Sequence, residues 1–154
     1  MNDIEESTRA VAAASRALVG VIASSYAPVR QKVTVPQVRV LLVLSGADGP
    51  MRSGDLAERL GIHPSTFTRT ADRLVDAGLI RRTVNPDNRR ESHISLTSSG
   101  SRMVGQIARR RDANIKKVLE RLTREQRRAV VAAMETFAEA AGEPRFEDLL
   151  ALGV

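Results

Sequence analysis

Ser65, Thr66, Thr68, Arg69 and Arg73 lie within one short polar stretch, PSTFTRTADRLV. At helical spacing Ser65, Thr68 and Arg69 share a side with Asp72 and Asp76, and Arg73 sits at its edge. Phe67, Ala71 and Leu74 fall on the other side and form the expected core face. Hydroxyls in this position can meet base edges or phosphates, and an arginine can fork onto guanine. Open N–H groups at a helix start favour phosphate oxygens. Asp72 and Asp76 would be repelled by phosphate, so only the N-terminal half of this helix is expected to touch DNA. Asp72 is expected to brace Arg69 or Arg73, the former at the better helical spacing.

Other chemistries find little support. His63 and His93 are the only histidines and lie thirty positions apart. Cysteine is absent, which removes disulfides, thiolate zinc sites and thiol-based redox sensing. No carboxylate spacing completes a metal site. Ser65, Ser98, Ser99 and Ser101 lack the adjacent base that nucleophilic catalysis requires. Gly100 and Gly105 are isolated, and no phosphate-binding glycine loop occurs. No enzyme activity, metal or cofactor is expected.

The elements that position the polar helix follow from its flanks. Ser53 is the expected N-cap of a preceding helix with Leu56, Ala57 and Leu60 on one face, and Gly61 ends it. Pro64 suits the first position of the next helix and leaves His63 at its cap. This is a helix-turn-helix pattern. After Gly78 the pattern becomes two short strands, Leu79–Val84 and Glu91–Leu96, joined by the turn Asn85-Pro86-Asp87-Asn88. Arg81 and Arg82 lie on the incoming strand, and Arg89 and Arg90 at the tip. A basic loop is most often a solvated surface. Beside a helix-turn-helix it reads as a wing whose arginine enters a narrow minor groove.

The stretch Leu56–Gly100 resembles the winged-helix core of the MarR family of bacterial transcription regulators. Four motifs carry the resemblance: S-T-x-T-R at Ser65, D-R-L at Asp72, G-L-I-x-R at Gly78 and S-L-T-x-x-G at Ser95. The resemblance implies a dimeric repressor or activator whose grip on DNA is often relieved by a small ligand or oxidant. It also implies an effector pocket between winged domain and dimerisation helices, lined by the first, second and fifth helices. Arg16 and Tyr26, the single tyrosine, are its candidates, and a small aromatic or phenolic effector would suit a basic pocket. Asn85 and Asn88 stand where the family's wing commonly has aspartates, one of which braces the arginine corresponding to Arg90.

The remaining chain fits this frame. Asp3–Tyr26 is expected to be a helix with Ile4, Val11, Leu18 and Val21/Ile22 as a stripe. Thr34-Val35-Pro36 opens a second, strongly apolar helix, and Met51-Arg52 is a candidate third strand beside the wing. Thr97 caps a long helix whose Arg109-Arg110-Arg111 and Lys116-Lys117 read first as a solvated face. Thr123 to Gln126 is a capping box opening a last helix through Ala141, with Val130, Val131, Met134, Phe137 and Ala138 expected inward. Phe146–Leu152 is a candidate terminal helix across the partner.

The expected fold is mainly α with a small β-hairpin wing. Residues 1–154 form one domain, 36–96 the winged helix-turn-helix core, and 1–27 and 97–154 the dimerisation helices. The expected function is sequence-specific binding of double-stranded DNA as a homodimer on an inverted repeat, with Ser65, Thr66, Thr68, Arg69, Arg73, Arg81, Arg89 and Arg90 in contact. The net charge of +6 agrees with a nucleic-acid partner but does not require one. A winged-helix protein-interaction module and a non-specific nucleic-acid binder are the alternatives. The acidic start MNDIEESTRA lacks a signal-peptide pattern, and no run is long and apolar enough for a membrane, so a cytoplasmic, nucleoid-associated protein is expected.

Overall fold

A computed structural model describes residues 3–84 and 92–142. Its helices are α1 (Asp3–Ala23), α2 (Val35–Ser45), α3 (Ser53–Arg59), α4 (Pro64–Asp76), α5 (Ser98–Leu119) and α6 (Arg124–Ala141). Its strands are β1 (Met51–Arg52), β2 (Ile80–Val84) and β3 (Ser92–Leu96). The protein is thus mainly helical, with a small antiparallel sheet in the order β1-β3-β2. The turn of Asn85–Asn88, the tip arginines Arg89 and Arg90, and Phe146–Leu152 lie outside the described residues.

The core forms where helix and strand apolar faces meet. Val40, Leu41 and Val43 of α2, Leu56 of α3, and Phe67, Ala71 and Leu74 of α4 are almost completely buried. Ile80 and Ile94 close this core from the sheet. Strand alternation explains their side: Ile80 and Arg82 share one face of β2, and Arg82 is paired with Ile94.

Local chemistry fixes the boundaries. Gln37 Oε1 accepts from the Thr34 N–H at 2.7 Å and holds the start of α2. Gly61 (φ +63°) and Gly78 (φ +67°) supply the left-handed exits from α3 and α4. The expected cap of α3 moves by one residue. Ser53 is the first helical residue, and Arg52 takes the cap position with no side-chain cap bond. The reason is β1: Arg52 pairs with His93 and is held extended. The first helix also tightens at its end, where Ser24–Tyr26 form a 3₁₀ turn.

One expectation about packing is overturned. Val130, Val131, Met134 and Phe137 are 37–56% exposed, and no described residue of α6 is buried. Their stripe is real, but α6 leaves the body after Thr123 and meets little of its own chain. The stripe on α1 is likewise uncovered, with Ile4 at 64% and Val11 at 43%.

Gly100, an isolated glycine in the sequence, is required by the packing. A Cβ there would overlap the Leu79 carbonyl oxygen, part of a backbone that cannot yield. A Cβ at Gly105 meets only the end of the Arg109 side chain, which can swing away. Gly100→Ala should therefore destabilise by about 2–3 kcal/mol. Gly105→Ala should be neutral or stabilise by about 0.5–1 kcal/mol. Urea denaturation of the two variants beside the parent checks both signs.

Candidate nucleic-acid interface

The outward face of α4 is built on its buried one. Phe67, Ala71 and Leu74 anchor the helix, which leaves Ser65, Thr66, Thr68, Arg69 and Arg73 exposed. Neither Arg69 nor Arg73 has an ion-pair partner among the described residues. Their guanidinium donors are open to a ligand.

The helix start is more self-contained than its sequence implies. His63 is the N-cap, and its Nδ1 accepts from the Ser65 N–H at 3.3 Å. The Thr66 and Phe67 N–H groups both donate to the His63 carbonyl, at 2.9 and 3.0 Å. The expectation of open N–H groups for phosphate is thus not met. An accepting Nδ1 leaves the proton on Nε2, so the ring offers a phosphate its N–H instead. The Thr68 hydroxyl donates to Pro64 O at 2.9 Å, and Ser65 Oγ lies 2.9 Å from His63 Nδ1. With its hydrogen given to Pro64 O, the Thr68 hydroxyl keeps only acceptor capacity, suited to an exocyclic amine of a base.

Asp72 braces neither Arg69 nor Arg73. Its Oδ1 lies 3.1 Å from Nη1 of Arg82, on β2. An acid on the recognition face is thereby paired with the wing strand, across the packed contact of α4 with β2. Sequence reasoning named Arg82 only as a strand arginine. The signal was there, because Arg82 shares the inward face of β2 with Ile80. The outward partner Arg81 behaves differently: its Nε donates to Ser95 Oγ at 2.8 Å, on the sheet face away from α4. It lines a groove with Ser45, Pro50, Ser101 and Val104.

A separate cavity of about 420 Å³ lies between the end of α1 and α2. Val19, Ala23, Tyr26, Val38, Arg39 and Leu42 are among its walls. Tyr26 is in the lining and Arg16 is not. Arg16 lies one turn earlier on the α1 stripe of Val19 and Ala23. The expected contribution of α5 is also absent from the walls. α5 instead steadies the 3₁₀ turn from behind, where Asn114 Nδ2 donates to Ser24 Oγ at 2.8 Å. Arg39 Nε is buried and has no hydrogen-bond partner among the described residues. Burial raises the Tyr26 phenol above its ordinary value of 10.0, with Arg111 pulling the opposite way.

No cluster of metal-ligating side chains occurs among the described residues, and no described helix is long and apolar enough to cross a membrane.

A helix-turn-helix with a sheet-borne wing, an exposed polar helix start and a buried opposite face defines a winged-helix DNA-binding protein. Comparison with known proteins narrows the class. Residues 31–91 match the model of the MarR family. The chain is 30% identical over 124 residues to YsmB of Bacillus subtilis, an uncharacterized HTH-type transcriptional regulator, covering 80% of this chain and 81% of that protein. It is 36% identical over 97 residues to the transcriptional repressor MdtR of the same organism, covering 63% of this chain and 62% of that protein. The crystal structure of RV1404 from Mycobacterium tuberculosis superposes with a TM-score of 0.80 at 38% identity, covering 93% of this chain and 97% of that one. The chain belongs to the MarR family and is a transcriptional regulator with a DNA-binding role.

Two measurements probe this geometry. The Arg82 and Asp72 side chains are 32% and 54% exposed, so their pair is largely screened. A double-mutant cycle with Asp72→Ala and Arg82→Ala should give a coupling of about 0.2–1 kcal/mol in low salt. It should shrink towards zero near ~1 M salt. Tyr26 is the only tyrosine and tryptophan is absent, so an ultraviolet titration reads one group. Its midpoint should lie above 10.0 in the folded protein. The folded state then holds this proton more tightly than the unfolded chain. Stability from this group is accordingly level below the ordinary value and falls as pH rises through the folded one.

Proposed function

We propose that the protein is a homodimeric repressor that grips an inverted-repeat operator and is released by a small anionic aromatic ligand. The observation that carries the DNA contact is the exposed N-terminal half of α4 above a fully buried Phe67, Ala71 and Leu74. Ser65, Thr66, Thr68 and Arg69 read base edges in the major groove. Arg73 and Arg81 hold phosphate, and Arg89 with Arg90 reach the minor groove. Residues 36–96 are the DNA-binding core, and 1–27 with 97–154 supply the dimer through the apolar stripes of α1 and α6, which leaves the basic outward face of α5 uncovered.

Exposed area supports the dimer. The single chain presents 10995 Å² to solvent. A compact monomer of 16.8 kDa would present about 7,600 Å². The excess is carried in part by α1 and α6, whose apolar stripes a second copy would cover. Two-fold symmetry then sets the recognition helices about 34–36 Å apart, one turn of DNA.

The cavity beside Tyr26 supports the release step. Its walls are mainly apolar, and the guanidinium of Arg39, a wall residue, suits the carboxylate of an aromatic or phenolic acid. Arg30, also in the wall, adds charge, and Arg16 lies one turn earlier along α1. A ligand that fits one spacing of the two winged units must weaken DNA binding reciprocally.

Fluorescence anisotropy on duplex DNA from the protein's own upstream region, beside a scrambled duplex, tests the reading. The expected result is ~10⁻⁸–10⁻¹¹ M for the native duplex, at least ~10³-fold tighter than the scrambled one. Two chains should bind per duplex. Arg69→Ala should cost ~1–3 kcal/mol on the native duplex and relax its sequence preference. Weak and equal binding to both duplexes and to further genomic fragments would sink the sequence-specific reading.

A further inference from the structure

The positive charge of this chain is not centred on α4. Residues 36–96 carry nine Lys/Arg against seven Asp/Glu, a net of +2. Residues 98–128 carry ten against three, a net of +7, which exceeds the +6 of the whole chain. Most of the fixed charge available to a polyanion therefore lies on α5 and the start of α6.

On α5 the cations form a row. Arg102, Arg109 and Lys116 recur every seven residues, so they fall on one helix face about 10 Å apart. Arg110 and Lys117 flank them, and all five are exposed. Asp112, on the same face, is engaged by Arg111 at 3.0 Å, and Glu120 lies 3.8 Å from Lys116. Arg109, Arg110 and Lys117 have no acidic partner among the described residues. The opposite side of α5 carries Gly100 and Ile107 and is packed inward.

This row is poorly placed for the duplex at α4. The cap of α5, Thr97, donates its hydroxyl to Gly78 O at 2.7 Å, just past the C-terminal end of α4. Ser65, at the other end of α4, lies about 18 Å away along that helix. From Thr97, α5 runs on to the 3₁₀ turn at Ser24.

Two kinds of partner could neutralise the row. An acidic protein would be expected to bury an apolar or aromatic anchor at the centre of its contact. The single large apolar side chain exposed on α5 among the described residues is Val118, at the far end of the row and not at its centre. A nucleic acid needs no such anchor, because release of its condensed counterions drives binding. We infer that the outward face of α5 is a second, sequence-independent site for the phosphate backbone of duplex DNA, separate from the duplex held by α4. A chain seated on one DNA segment thereby holds another.

The test is capture of a second duplex. The full chain is bound to an immobilised duplex and challenged with a labelled duplex of unrelated sequence at roughly 50 mM salt. The parent should retain the second duplex and release it near ~200 mM. The triple variant Arg109→Glu, Arg110→Glu, Lys117→Glu should hold the first duplex within about twofold and lose the second by roughly tenfold or more. The milder Arg109→Gln, Arg110→Gln, Lys117→Gln set replaces it if circular dichroism shows unfolding. Three results overturn the inference: no capture by the parent, equal capture by the variants, or loss of the first duplex in a folded variant. Displacement of the second duplex more readily by polyglutamate than by unlabelled DNA also overturns it, and points to an acidic protein.

Discussion

The contact of Gly100 with the Leu79 carbonyl joins three parts of the molecule that would otherwise move independently. Leu79 follows the recognition helix and opens the wing. Its carbonyl accepts the Thr97 N–H at 3.0 Å, while the Thr97 hydroxyl donates to Gly78 O and accepts from the Gly100 N–H at 3.1 Å. The end of α4, the base of the sheet and the start of α5 thus share one small set of hydrogen bonds. Only a residue without a side chain lets the helix come this close. The start of α5 is thereby seated directly against the end of α4.

Electrostatics add aim to this frame more than stability. The Arg82–Asp72 pair is exposed enough that water screens it, yet it links helix to wing. His63 caps α4 through an accepting ring nitrogen. Arg127, half-buried, donates to Leu122 O at 2.6 Å and to Leu119 O at 3.3 Å, and so fastens the corner between α5 and α6. The apolar core supplies the bulk of the favourable burial, from α2, α3, α4 and the two longer strands.

The outer helices are held differently. α1 and α6 bury no residue in the single chain, and Ile4, Val11, Leu18, Val130, Val131, Met134 and Phe137 are each 37% or more exposed. Their order rests on helix propensity, capping and whatever covers the stripes. The cavity lies where α1 meets the winged core, on the boundary between the well-buried and the unburied parts. Arg39 is one of its wall residues, and its Nε is buried with no hydrogen-bond partner among the described residues.

The amino-acid sequence alone determined the element order, the caps at His63, Thr97 and Thr123, and the inward faces of α2 to α4. These depend on spacing, on turn residues and on short-range hydrogen bonds, all written in neighbouring positions. It also carried the motifs of the family. Only the tertiary structure decided the partner of Asp72, the one-residue shift of the α3 start and the reason for Gly100. It also decided that the α6 stripe points away from its own chain. Most of these depend on which residue a fold brings near from far along the chain: Arg82 to Asp72, His93 to Arg52, Leu79 to Gly100. A periodic apolar stripe states that a face must be covered, and the same stripe would serve a core or a second chain, so it cannot state by what.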